Sequence, residues 1–176
     1  AYTILKLTRY TGKKTAGDFV DDIVKVYQDI VKKCENDQIA WVQFDEPALV
    51  RDMSLEDITL FHRIYDKILA DKGSCKILLQ TYFGDVRDVY QELIRMPFDG
   101  IGLDFLEGKE TGHLIGRYGF PQEKVLFAGL VNGKNIWKNH YEKTLSVLKE
   151  LKDKEIRTVL STSCSLLHVP YTLQYE

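Results

Sequence analysis

Trp41-Val42-Gln43-Phe44-Asp45-Glu46-Pro47-Ala48-Leu49 is the stretch on which the reading of the fold turns. Aromatic, β-branched and apolar residues run through Phe44 with Gln43 as the one polar interruption. Such a run predicts a parallel strand buried on both faces. Two carboxylates then arrive together, and Pro47 ends the strand because it lacks a ladder donor and fixes φ. In α/β folds, ligand sites lie at the carboxyl ends of parallel strands. Asp45 and Glu46 are therefore candidates for acid–base work. The plainer reading of such a pair is a loop cap that pairs with nearby cations.

Working toward the amino end, residues 15–37 carry a helical period. Val20, Ile23, Val24, Tyr27, Ile30, Val31 and Cys34 fall on one stripe, with Asp21, Lys25, Asp29 and Lys32 outside it. Cys34 reads as a core thiol. Residues 2–7 read as a short strand, followed by a polar, basic loop over 8–14. Toward the carboxyl end, Ser54 and Asp57 form a capping box that opens a second helix. Its stripe is Leu55, Ile58, Phe61, Ile64, Tyr65, Ile68 and Leu69, with Gly73 placed to end it and His62 off the stripe on the surface. Strands are then predicted at 76–83, 101–105, 124–131 and 157–161. Helical segments separate them, marked by Val86, Val89, Tyr90 and Leu93, by Leu114, Ile115 and Tyr118, and by Tyr141, Leu145, Leu148 and Leu151.

The resulting order alternates strand and helix, with six strands and five intervening helices, spaced roughly 24 to 37 residues apart. Alternation on that scale implies right-handed crossovers and one parallel sheet. The fold class is therefore α/β, of the (βα)8 barrel type with six of eight units present, in a single domain over residues 1–176. A doubly wound open sheet is the rival, but no Gly-x-Gly-x-x-Gly follows the first strand to support a dinucleotide site.

The net charge of −2, from 24 basic and 26 acidic residues, offers no basic stripe for nucleic acid or an anionic membrane. No apolar run reaches the roughly 20 residues that span a bilayer. Three scattered cysteines without a CxxC pair suggest a reducing, cytoplasmic setting rather than a disulfide framework. The chain opens at Ala1 without an initiator Met, as expected of a piece of something longer.

Unusual groups stand at the predicted strand ends: Asp45 and Glu46, then Tyr82, Asp104, Asn132 with Asn135, and Cys164 with His168. In a barrel these ends converge on one mouth. Asp45, Glu46, Asp104 and His168 are the acid–base candidates, and Tyr82, Asn132 and Asn135 the candidates for substrate contact. Individually each has a plain reading: Asp104 as a backbone acceptor, His168 as a hydrogen-bonded structural histidine.

Four stretches carry a closer resemblance. They are Trp41 to Leu49 as quoted above, Thr81-Tyr82-Phe83, Ala128-Gly129-Leu130-Val131-Asn132-Gly133-Lys134-Asn135-Ile136-Trp137 and Ser163-Cys164-Ser165-Leu166-Leu167-His168-Val169-Pro170. Together, and in this order, they resemble the amino-terminal barrel of cobalamin-independent methionine synthase. The family has Arg where this chain has Lys134, which keeps the charge but loses a bidentate fork. The resemblance implies two (βα)8 barrels joined face to face, this chain being the carboxyl-terminal three quarters of the first. The partner is then the carboxyl-terminal barrel, where zinc held by His, Cys, Glu and Cys activates homocysteine as a thiolate. Methyl passes to that sulfur from 5-methyltetrahydropteroyltriglutamate. The amino-terminal barrel helps hold the polyglutamate tail, largely through basic residues upstream of Ala1.

The resemblance also implies what this stretch lacks. Leu79 and Thr81 occupy the places of the zinc-binding His and Cys, and neither is a credible ligand. Asp104 lies near the place of the ligand Glu, and Cys164 near that of the last Cys, a vestigial ligand position. No metal and no cofactor is expected here, and no catalysis by this stretch alone. Two other readings stand beside this one: a free-standing ligand-binding or scaffold barrel, and an independent hydrolase or lyase with Asp45 or Glu46 as base and His168 as acid.

Overall fold

A computed structural model describes residues 1–168; residues 169–176, with the Val169-Pro170 end of the last resembling stretch, lie outside the described residues, as does the His168 side chain. Its strands are β1 (Trp41–Asp45), β2 (Lys76–Gln80), β3 (Gly100–Asp104), β4 (Val125–Val131) and β5 (Thr158–Thr162). They pair in parallel and in chain order, β1-β2-β3-β4-β5. The helices are α1 (Tyr2–Leu7), α2 (Val20–Asn36), α3 (Leu55–Ala70), α4 (Tyr90–Arg95), α5 (Thr111–Tyr118) and α6 (Tyr141–Asp153). One helical segment therefore links each strand to the next, as the alternation predicted.

The first element departs from expectation. Residues 2–7 form helix α1, not a strand, so the sheet holds five strands among the described residues instead of six. The period explains it: Tyr2 and Leu5, three residues apart, are buried, while Ile4 and Leu7 point outward. Six residues are too few to sustain a helix unaided. The support comes from Glu46, whose carboxylate sits at the helix amino terminus.

β1 also differs from the sequence reading, because it is not buried on both faces. Only Phe44 is fully buried; Trp41, Gln43 and Asp45 are exposed. The reason is position: β1 is an edge strand paired on one side only, whereas β3, inside the sheet, is buried throughout. β5 at the other edge exposes Val159 and Leu160. Half of the predicted α6 stripe is exposed with it, Tyr141 and Leu145, while Leu151 is buried. Ile30 and Leu55 likewise fall outside the buried faces of α2 and α3.

The core lies between the sheet and the α2–α3 pair. Phe61, Tyr65 and Phe98 meet with ring centroids 4.9 and 5.4 Å apart in succession. The predicted capping box is present: Ser54 Oγ accepts from the Asp57 N–H at 3.2 Å, and the Ser54 N–H donates to Asp57 Oδ2 at 3.1 Å. α3 ends at Ala70, and Gly73 serves the turn into β2 with φ +56°. His62 is half-buried rather than fully solvated, between Asp66 at 3.6 Å and Glu92 at 3.4 Å.

Gly129 sits where β4 shifts register against β5. A Cβ there would lie 2.9 Å from the Leu103 carbonyl oxygen, 2.9 Å from Ser163 Cα and 3.1 Å from the Thr162 carbonyl oxygen. All three are backbone atoms of flanking segments, so no side chain can swing aside. Gly129→Ala is expected to cost about 2 kcal/mol by overpacking. Urea unfolding checks this; an unchanged midpoint would mean that the junction yields freely.

Candidate functional site

The register carries every strand to the same edge: Asp45 lies opposite Gln80, Gln80 opposite Gly102, Asp104 opposite Gly129, and Val131 opposite Thr162. Asp45, Tyr82, Asp104, Asn132 and Cys164 therefore all stand at the carboxyl edge of the sheet, as the sequence predicts. Their side chains do not converge on one point. They divide into groups that face open space and groups already committed to the backbone.

Asp45 and Tyr82 face space. The Asp45 carboxylate accepts from Gln43 Nε2 at 2.7 Å and from the Tyr82 hydroxyl at 3.4 Å. Burial, helped by that carboxylate, pushes the Tyr82 phenol up to about 12, so it stays a donor throughout the neutral range. Both residues line an open hollow of about 450 Å³ with Tyr27, Gln43 and Pro47. On the other side of Tyr82, a small hollow of about 100 Å³ is lined by Gln43, Gln80, Thr162, Cys164 and Ser165. Tyr82 and Gln43 form the wall shared by the two.

Gln43 and Gln80 were not among the sequence candidates. The signal was available in the period of two: Gln43 shares a strand face with Asp45, and Gln80 with Tyr82. An amide inside an apolar run carries no chemical signal of its own. Here Gln80 is buried and donates to the Thr81 carbonyl at 2.9 Å, filling space beside Gly102 that a side chain would otherwise occupy.

Glu46 points the other way and is fully buried. Its carboxylate accepts from the Tyr2 N–H at 2.8 Å and the Thr3 N–H at 2.6 Å, with the Ala1 nitrogen at 2.5 Å, and also from the Tyr65 hydroxyl. Burial, reinforced by Glu46, holds the Tyr65 phenol well above its ordinary range. Glu46 is thus the clamp that holds α1 against the segment that follows β1.

Asp104 is equally committed. Oδ2 accepts from the Phe83 N–H at 3.0 Å, and Oδ1 from the N–H groups of Leu106 at 2.8 Å and Glu107 at 3.0 Å. It fastens the loop after β2 to the loop after β3, and it holds Phe83 at φ +73°, a left-handed conformation uncommon for a bulky residue. Burial raises the Asp104 carboxyl above its ordinary value against the pull of these three donors.

Asn132 and Asn135 cap turns by accepting from the N–H groups of Lys134 at 2.8 Å and Trp137 at 3.1 Å. Lys134 pairs with Glu107 at 2.6 Å and lies 4.6 Å from the centre of the Phe83 ring. Cys164 is buried, and burial pushes its thiol up, away from a reactive thiolate. Leu79 is in the core, and the Thr81 hydroxyl donates to the Gly102 carbonyl at 2.8 Å. Among the described residues, no three His, Cys, Asp or Glu side chains gather closely enough to hold a metal ion. His168 closes a short 3-10 helix, Leu166–His168.

A family model described as "Cobalamin-independent synthase, N-terminal domain" matches residues 1–156. The chain is similar to a curated 5-methyltetrahydropteroyltriglutamate–homocysteine methyltransferase of Lactococcus lactis subsp. cremoris, 51% identical over 175 residues. It is also similar to the protein of that name in Streptococcus thermophilus, at 50%. Each alignment covers 99% of this chain and 23% of the relative, so the chain spans about a quarter of their length.

Proposed function

The chain belongs to the family of cobalamin-independent synthase N-terminal domains, and from that premise we propose that it is a structural, folate-side part of an enzyme that methylates homocysteine. That reaction would move the methyl group of 5-methyltetrahydropteroyltriglutamate to homocysteine and yield methionine, in the cytoplasm. The relatives' names supply the reaction. The role of this stretch within it rests on one observation: two of the three acids at the strand ends, Glu46 and Asp104, are spent on backbone. Glu46 seats α1 and Asp104 ties two loops, each with both oxygens already accepting hydrogen bonds from within the chain.

The five-stranded sheet is read as an arc of a (βα)8 barrel, residues 1–176 making up the carboxyl-terminal part of the amino-terminal one. Chain-order parallel pairing supports it, as do the exposed apolar groups at both edges, Trp41 on β1 and Val159 and Leu160 on β5. Further strands would cover them, and a carboxyl-terminal barrel would face the strand ends.

No zinc is assigned to this stretch. A stable site uses three or four ligands; of the four places, Leu79 cannot ligate and the Thr81 hydroxyl is bonded to Gly102, which leaves only Asp104 and Cys164. In the whole enzyme zinc would be supplied by the carboxyl-terminal barrel. The Asp45–Tyr82 pair beside its open hollow favours ligand contact as a second reading, with Asn132 and Asn135 acting through the turns they shape. A hydrolase reading would have to rest on Asp45, because Glu46 is committed to α1.

The test has two arms. The chain alone, given homocysteine, the triglutamate methyl donor and zinc, is expected to form no methionine above a no-protein control, and turnover would overturn the structural role. When this stretch replaces its counterpart in the Lactococcus enzyme, the chimera is expected to make methionine, and Cys164→Ser in it to leave kcat unchanged. A chimera that folds but loses activity with Cys164→Ser would restore Cys164 to the chemistry.

A further inference from the structure

Two of the three cysteines stand on adjoining segments at the edge of the sheet opposite the candidate site. There the end of α2 crosses the turn into β2. Glu35, next to Cys34, accepts from the Ser74 N–H at 2.8 Å and from the Ser74 hydroxyl at 3.0 Å, and Ser74 is next to Cys75. Ile39 bridges the same pair from below. Its N–H donates to the Cys34 carbonyl at 2.9 Å, and its carbonyl accepts from Cys75 Sγ at 3.4 Å. Gly73 lets the crossing close, because a Cβ at its φ of +56° would collide with the Glu35 carboxylate. Both sulfurs belong to one apolar cluster, in which Cys75 is 2% exposed and Cys34 half-buried at its margin. Burial raises the Cys75 thiol above its ordinary value, and Cys34 adds to the rise.

We propose that Cys34 and Cys75 form an oxidisable dithiol, a modification site that closes to a disulfide stapling the end of α2 to the start of β2. Hydrogen peroxide is the oxidant class that fits, because only Cys34 is open enough to meet a small molecule first. The Cys34 sulfur attacks a peroxide oxygen, the O–O bond breaks, and the products are a sulfenic acid and water. The Cys75 sulfur then attacks the Cys34 sulfur. The S–S bond forms, the S–O bond breaks, and the departing hydroxide takes the Cys75 proton and leaves as water. Two thiols and one peroxide thus give one disulfide and two waters, with sulfur oxidised and peroxide oxygen reduced. Burial shields Cys75 from outside reagents, so the sulfenic acid on the adjoining segment is the electrophile left for it to meet. Cys164, at the far edge of the sheet, is left out.

The experiment exposes the chain to hydrogen peroxide, unfolds it in an alkylating reagent and maps the peptides by mass spectrometry. One linked pair, Cys34 with Cys75, is expected, with Cys164 alkylated. Dithiothreitol and Cys34→Ser should each abolish it, and Cys164→Ser should leave it intact. Oxidised wild type should also melt at a higher temperature than reduced, a shift absent from Cys34→Ser, whose half-exposed position tolerates the change. Cys34 found as sulfinic acid with Cys75 still alkylatable would overturn the proposal, as would a linked pair formed only in the unfolded chain.

Discussion

Glu46→Ala is expected to destabilise the chain by about 4 kcal/mol, the cost of leaving several donors to one carboxylate without an acceptor. The variant strips the acceptor from the N–H groups of Tyr2 and Thr3 and from the Tyr65 hydroxyl, of which Tyr2 and Tyr65 are buried and Thr3 half-buried. Each buried donor left unmade costs about 1–3 kcal/mol, and the losses overlap because the groups relax together. In a domain of this size that amounts to a melting temperature lower by about 10 °C. Glu46→Gln should fall between, since its carbonyl oxygen still accepts while its amide confronts donors with a donor. Urea unfolding of the three proteins orders them. If Glu46→Ala unfolds at the wild-type midpoint, α1 is not held by this carboxylate.

That contact also explains what the sequence could show. The strands from β1 onward were legible because each carries a run of apolar residues bounded by Pro, Gly or polar turns, and their alternation with amphipathic helices left one topology. Residues 2–7 were misread because Tyr, Thr and Ile favour strands locally. The group that makes them helical lies 44 residues away and reads as part of a catalytic pair. Exposure at Trp41, Leu145 and Leu160 was illegible for a related reason. A pattern tells which face is apolar, not whether a neighbour covers it. The structure places the strand-end acids at one edge of the sheet, as the pattern of strands implies. What the sequence could not tell was which way each turns. Asp45 alternates outward to the hollow, and Glu46, one residue on, must then face α1.

The remaining large effect belongs to Asp104. Asp104→Ala is expected to cost about 3 kcal/mol at neutral pH, since three backbone N–H groups lose their acceptor and the left-handed Phe83 loses its tether. The pH dependence is the sharper test, because burial and hydrogen bonding pull the carboxyl in opposite directions. Three N–H donors favour the carboxylate, while burial favours the acid, and burial wins, raising the folded-state value above the ordinary 3.8. A raised acid means that the folded chain holds more protons than the unfolded one between those two values. Stability from this group is then fully present below 3.8 and falls as pH rises through the folded value. Asp104→Asn cannot titrate. Its stability deficit relative to wild type should therefore be largest at the acid end and shrink toward neutral pH. Unfolding curves for both proteins across that window decide it. A deficit that grows with pH would mean that the three backbone donors outweigh burial, and that Asp104 is held as a carboxylate rather than strained as one.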